Sequence, residues 1–279
     1  MHVTLLITCV VDVLAPEVGE AAVRLLRAAG CDVSCDLSQT CCGQPAWNAG
    51  FTDEAATVAR PTLAALESEL DRGAEVVVGP AGSCVTMVRL FWPELFELVG
   101  DQESAERARR VAGRTRELSE LLAERADRLP PLRLAGAGGA GGPRHRLALH
   151  ASCHMLRELH VVDQPAALAG LVEGCEVLAW EGSDRCCGFG GSFSVKLPEA
   201  SVAMADDKLR GLADAAPDEL VGCDTSCLLH LQTRAERMGT AVQVRHLAEV
   251  LAGALPDGAG STAAGGAGAG PDPDRAGGP

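Results

Sequence analysis

Cysteines in two matching sets are the residues of this 279-residue chain best suited to chemistry. Cys9, the pair Cys41-Cys42 followed by Gly43, and Cys84 recur as Cys153, Cys186-Cys187-Gly188 and Cys227, at a step of 143 to 145 residues. Neighbouring segments keep the same step: Gly30-Cys31-Asp32-Val33 answers to Gly174-Cys175-Glu176-Val177, and Val78-Gly79 to Val221-Gly222. One unit is therefore used twice. A single cysteine, a CC-Gly and a distal cysteine in each unit supply the thiolates that ligate soft metals.

The second unit has five such thiols, Cys153, Cys186, Cys187, Cys223 and Cys227. That exceeds what one tetrahedral zinc requires and suits an iron-sulfur cluster. The first unit has Cys9, Cys41, Cys42 and Cys84, with Pro80 where the repeat places Cys223. Four thiols suit either a 4Fe-4S cluster or a structural zinc, so one or two clusters are expected, with zinc the alternative at the first site. Adjacent cysteines in a Gly-rich loop cannot both face one apolar core, which argues against inert packing. Gly188-Phe189-Gly190-Gly191-Ser192 lets backbone amides approach cluster sulfurs, and Lys196 adds a nearby positive charge. The same run is not a dinucleotide loop, because Phe193 stands at the third glycine position, and no nicotinamide-binding site of the chain's own is expected. Cys31 and Cys175 are read as core residues and Cys35 as an unpaired extra, and none of the three is taken as a ligand. His150, His154 and His246 flank strand ends, where an imidazole can donate to a substrate or a cluster sulfur.

The elements needed to bring these side chains together are those of an α/β fold with two pseudo-repeated lobes and mostly parallel sheets. Strands are expected at residues 2–10, 32–37 and 75–79, and again at 146–151, 176–180 and 219–222. Helices are expected at 16–29, 52–70 and from 83 to 96, then at 154–172, 199–213 and 227–238. The cysteines then fall at strand-to-helix turns, beyond the carboxyl ends of parallel strands, where open sheets place ligands. The domain reading is a first lobe at 1–130, a flexible linker at 131–145 containing a Gly/Ala run, a second lobe at 146–253 and a disordered tail at 254–279. The linker glycines are not a phosphate loop, since no Lys-Ser or Lys-Thr follows them.

Composition narrows the partners. A formal charge of −14 and the lack of any tyrosine disfavour nucleic acid, which needs clustered cations and stacking surfaces. No stretch reaches the roughly 20 apolar residues of a membrane span. The first residues show no secretory pattern, so a cytoplasmic location is expected, where thiols stay reduced and serve metals or catalysis.

Residues 1 to about 252 resemble the cysteine-rich, CCG-domain family of iron-sulfur proteins. The likeness is carried by Cys41-Cys42-Gly43-Gln44-Pro45-Ala46, Gly82-Ser83-Cys84, Leu149-His150-Ala151-Ser152-Cys153-His154-Met155, Cys186-Cys187-Gly188-Phe189-Gly190-Gly191 and His246-Leu247-Ala248-Glu249-Val250-Leu251. The family includes lactate utilization A proteins, to which the likeness is greatest, the iron-sulfur component of glycolate oxidase, and the cysteine-rich component of heterodisulfide reductase. The resemblance implies an electron-transfer component of a multi-protein, cytoplasmic system oxidising L-lactate to pyruvate, an oxidoreductase subunit working with other subunits. It implies ligation by Cys9, Cys41, Cys42, Cys84, Cys153, Cys186, Cys187 and Cys227. The heterodisulfide reductase form ends each motif in CxxC, whereas this chain has CxxxC and a lone Cys84, which leaves Cys223 the least supported ligand. A thiol/disulfide redox component and a zinc-stabilised assembly protein are the competing readings.

Overall fold

The fold is seen in a computed structural model that describes residues 1–134, 143–240 and 242–260. The first lobe contributes β1 (His2–Leu5), β2 (Asp32–Ser34), β3 (Val76–Gly79) and β4 (Thr115–Glu117) to a sheet of order β2-β1-β3-β4. The chain then forms β5 (Leu132–Arg133), β6 (His145–His150), β7 (Val172–Glu173), β8 (Cys175–Leu178), β9 (Glu219–Gly222) and β10 (Gln243–His246). The second sheet has the order β10-β9-β6-β8, and like the first it has four strands. Every strand pair is parallel. Read from the other edge, β8-β6-β9-β10 repeats the first sheet strand for strand. β3 and β9 are short apolar runs because helices cover both faces of such strands.

The order reverses between β1 and β3, and again between β6 and β9. At such a switch point the loops leaving neighbouring strands diverge and open a crevice beyond the sheet. Cys9 and Cys84 follow β1 and β3, and Cys153 and Cys227 follow β6 and β9, so each crevice is flanked by two cysteines. The helix Pro16–Ala28 illustrates how the sequence builds the supporting layer. Pro16 occupies its first turn, and Val18, Ala21, Ala22, Leu25 and Leu26 form one buried stripe.

Several expected elements are shorter or broken. The strand expected over 2–10 ends at Leu5, because the Thr8 hydroxyl accepts the Val11 N–H and starts a helix at Cys9. The helix expected from 83 to 96 passes through a π turn, Met87–Phe91, just before Pro93, which has no N–H to donate back along the helix. The helix expected over 154–172 is a π turn, Met155–Leu159, stopped by left-handed His160, followed by a new helix, Gln164–Gly170. Pro165 in that helix's first turn sets the restart.

The expected linker begins with structure: Leu132–Arg133 pairs with Val172–Glu173, and Arg133 N–H donates to Ala254 O at 2.8 Å. Residues 135–142 and 261–279, where most of the linker and tail readings fall, lie outside the described residues. The lobes share one core. Leu118, Leu121 and Leu122 of the first lobe join Leu159, Leu168 and Val172 of the second in a single buried cluster, and the helix Leu247–Gly253 packs on Pro16–Ala28. No helix among the described residues is long and apolar enough to cross a membrane.

Glu117, at the end of β4, is fully buried in this shared core. One carboxylate oxygen accepts the Ser119 N–H at 2.7 Å, while Oε1 has no partner. Burial pushes its carboxyl up to about 7 from 4.5. The unfolded chain ionises near 4.5 while the folded one keeps the proton, so stability declines as pH rises from 4.5 to about 7. The shift corresponds to about 3 kcal/mol at most. Glu117→Gln should flatten stability across that interval, as measured by urea unfolding at a series of pH values. An unchanged pH profile would refute the assignment.

Candidate metal centre

Both CC-Gly turns are made the same way. Gly43 and Gly188 adopt left-handed φ values of 89° and 87°. A Cβ on Gly43 would lie 2.6 Å from the carbonyl oxygen of Ala55, and one on Gly188 would clash still harder with that of Ser201. Only glycine permits the turn to press against the backbone of the following helix, Thr52–Asp71 or Pro198–Ala215. The turn aims the glycine N–H back at the first cysteine of each pair, at 3.4 Å from Cys41 Sγ and 3.4 Å from Cys186 Sγ. In the first lobe the Trp92 indole N–H fixes the carbonyl of Cys42 at 2.8 Å.

Thiols distant in sequence meet around these turns. Cys9 Sγ lies 3.8 Å from Cys41 Sγ, and Cys42 Sγ lies 3.5 Å from Cys84 Sγ. In the second lobe Cys187 Sγ lies 2.9 Å from Cys227 Sγ. All twelve cysteines are free. Cys9, Cys41, Cys42, Cys84, Cys153, Cys186, Cys187 and Cys227 line a single cavity of about 100 Å³, together with Gln44, His154, Phe189 and Asp224. The two cysteine sets therefore face a common space between the lobes.

Hydrogen bonding divides the protons unevenly. Cys41 is held far below the usual thiol range as acceptor from Cys42, Cys9 and the Gly43 N–H, and Cys186 likewise by Cys153, Cys187 and the Gly188 N–H. Their donors Cys9, Cys42, Cys153 and Cys187 are pushed up, first by these same bonds and then by burial. Each lobe thus carries one favoured thiolate, ready to take a metal before the remaining thiols lose their protons.

Three histidines take three different roles. His154 approaches Cys153 Sγ with Nδ1 at 3.6 Å and the Gln44 amide with Nε2 at 3.2 Å, so it joins the lobes at the cavity wall. His246 is structural: Nε2 donates to Pro80 O at 3.1 Å across the lobes, and Nδ1 accepts the Ala248 N–H at 3.1 Å. Burial lowers it to about 4, keeping it neutral. His150 is the ligand candidate that the cysteine spacing did not single out. It is buried, both ring nitrogens lack a partner, and it lies with Cys187 and Cys227 in a group whose ligand atoms are all within 4.8 Å of one another. Burial lowers it to about 3, so the free imidazole offers a lone pair.

Cys223 does not line the shared cavity. It sits beside Glu117, Ser119 and His246 in a separate space of about 10 Å³ at the lobe junction, and its carbonyl accepts the Gly82 N–H at 3.3 Å. Cys31 and Cys175 are buried beside β2 and in β8, and Cys35 accepts from Gln39 at 3.7 Å. Lys196 lies over the ring of Phe51, 5.4 Å from its centroid, and not on the cavity wall. A second lysine, Lys208, is buried behind the CC-Gly loop, with burial lowering it to about 8. Its position in an amphipathic helix gave no sign of this, because long charged residues in such helices usually point to water.

Parallel lobes with paired CC-Gly sites define a class of cysteine-rich α/β protein, and comparison with known sequences agrees. The cysteine-rich domain family model matches residues 3–89 and 147–232. The chain is 38% identical over 252 residues to lactate utilization protein A of Bacillus velezensis, covering 90% of this chain and 99% of that one. Its counterpart in Geobacillus kaustophilus is 39% identical and that in Bacillus subtilis 37%, covering 90% of this chain and 98% and 99% of theirs. The chain belongs to the cysteine-rich (CCG) domain family, among the relatives of lactate utilization protein A. A glutamate racemase of Francisella tularensis aligns over 90% of this chain and 77% of its own at a TM-score of 0.33 and 11% identity, too distant to bear on the chemistry.

In the reduced, metal-free protein, iodoacetamide at mildly acidic pH should alkylate Cys41 and Cys186 ahead of the other thiols, as read by peptide mass spectrometry. Preferential labelling of Cys9 and Cys153 would contradict the proton distribution. His246→Ala should cost about 1–3 kcal/mol in urea unfolding by stranding the Pro80 carbonyl and the Ala248 N–H. A change of less than a few tenths would show the latch to be dispensable.

Proposed function

We infer that the protein is an iron-sulfur electron-transfer component of a multi-protein system that oxidises L-lactate to pyruvate. The observation that carries this reading is the convergence of eight free thiols, four from each lobe, on one cavity. The naming of its relatives as lactate utilization protein A supports the metabolic setting.

The residues fit such a group. Cys9, Cys41, Cys42 and Cys84 would hold one in the first lobe, with zinc the alternative there. Cys153, Cys186, Cys187 and Cys227 would hold another in the second, with His150 beside them. When bound, an iron-sulfur cluster supplies one-electron storage at a potential set by its surroundings. The chain's own part is to present thiolates, to direct the Gly43 and Gly188 N–H groups at ligand sulfur, and to keep water from the buried ligands Cys42, Cys187 and Cys227. Cys223, outside the cavity, has no part in this reading.

The shared cavity favours one second reading, thiol/disulfide redox chemistry, because a molecule bound there would touch both cysteine sets. A change in the cluster's paramagnetic spectrum on adding a thiol substrate would distinguish it.

Protein purified without oxygen should contain iron and acid-labile sulfide, and Cys186→Ser with Cys187→Ser should remove the second lobe's visible absorption and paramagnetic signal. Zinc without iron at this lobe would sink the reading and leave a zinc-stabilised assembly protein. The isolated chain should not oxidise lactate with an artificial acceptor, whereas a reconstituted complex should. Robust turnover by the single chain would move the oxidation chemistry into this protein.

A further inference from the structure

The two sites match in cysteines but not in what lies behind them. Ala55 O and Ser201 O occupy equivalent places, each pressed against the glycine of its CC-Gly turn. Two helical turns further along, the first lobe has Thr62 and the second Lys208, seven residues beyond the contact in each case. Both side chains are buried, and both tie down the residue before the cysteine pair. Thr62 Oγ1 accepts the Thr40 N–H at 2.8 Å. Lys208 Nζ donates to the carbonyls of Arg185 at 2.7 Å, Ser183 at 2.9 Å and Gly182 at 2.7 Å, and lies 4.9 Å from the centroid of the Trp180 ring. One loop is held by a neutral hydroxyl, the other by an ammonium group.

A second difference occurs at the strand ends. The space beside Gly79 is filled by Leu6 and Val85, and that beside Gly222 by His150 and Leu228, so Leu6 and His150 are counterparts. The second site thus has a buried imidazole and a buried cation where the first has a leucine and a threonine. Asp224, a buried carboxylate on the shared cavity where the first lobe has Ala81, opposes that cation, so the charge of Lys208 is read by changing Lys208 alone. Among the described residues no lysine or arginine lines the shared cavity itself. In a poorly screened interior, a fixed positive charge behind thiolate ligands stabilises whichever state of the bound group is more negative.

We propose that Lys208 is a positioning residue that pins the second CC-Gly loop and, by its charge, raises the potential of the second-lobe site above what that site would have without it. The inference rests on the iron-sulfur reading above. The charge serves positioning as well as electrostatics, because three carbonyls converging on Nζ fix the path from Gly182 to Arg185.

Redox titration of the anaerobically prepared full chain, followed by electron paramagnetic resonance, tests this. In the wild type the second-lobe signal is the one lost in Cys186→Ser/Cys187→Ser and the first-lobe signal the one lost in Cys41→Ser/Cys42→Ser. Lys208→Met should move the second-lobe signal to more negative potential and leave the first unmoved, while Lys208→Arg should restore the shift. Lys208→Gln serves where Lys208→Met does not fold. An unmoved second signal in the neutral variants would overturn the proposal. If only the second lobe gives a signal, the neutral variants alone decide. Zinc with no iron would defeat the iron-sulfur reading itself. The charge is then judged by zinc release to a chelator from protein carrying Cys41→Ser/Cys42→Ser, which Lys208→Met should speed and Lys208→Arg should not. Equal rates would overturn it.

Discussion

Two adjacent cysteines can serve one site only if the backbone turns sharply beneath them and is then held still. Here the hold is the close approach of a glycine to a helix carbonyl, Gly43 to Ala55 and Gly188 to Ser201. The left-handed conformation at each glycine brings its N–H onto the preceding cysteine pair and separates the roles of the two thiols. The first becomes a hydrogen-bond acceptor and the favoured thiolate. The second, Cys42 or Cys187, is buried against the cysteine that follows the next strand. Thiolate, donor and metal-ready geometry all follow from that one backbone contact.

Lobe docking is the second level of organisation, and it runs through polar groups as well as apolar packing. Asp224, fully buried, accepts the Ser83 N–H at 2.9 Å from the other lobe and the Ser226 hydroxyl at 2.5 Å. These bonds hold its carboxyl below the usual carboxylate range although burial works the other way. His246 reaches Pro80, and Gly82 reaches Cys223. The segment from Pro80 to Ser83 is therefore bonded to the second lobe just before Cys84. The position of Cys84 is set partly by second-lobe atoms, which is how two cysteine sets far apart in the chain share one cavity.

Duplication explains the common frame, and divergence within it explains why the halves need not do the same work. Strand order and turn glycines are kept. Leu6 against His150 and Thr62 against Lys208 are not. Buried polar groups cost free energy unless partnered, and Lys208 meets that cost with three carbonyls while His150 has no partner of its own. An unpartnered imidazole next to two thiols is the kind of exception expected where a ligand binds.

The duplication, the parallel α/β class and the eight cysteines that meet were all legible in residue order, because the spacing between strand ends and turn glycines is written directly into it. The main helices were legible too, since their apolar stripes are local patterns. Where strand 2–10 stops and how helix 154–172 breaks were not, since Thr8 capping and a left-handed His160 are decided by single hydrogen bonds and one backbone angle. The CxxxC spacing already left Cys223 the least supported of the five second-lobe thiols, but that it faces away from the shared cavity after β9, while Cys227 lines it, was decided by the packed fold. The roles of His150, His154, His246 and Lys208 came from the packed fold. Each depends on what lies across it: a lone pair left free, a sulfur and an amide, a carbonyl of the other lobe, and three carbonyls of a loop. None of these partners has a fixed distance in sequence.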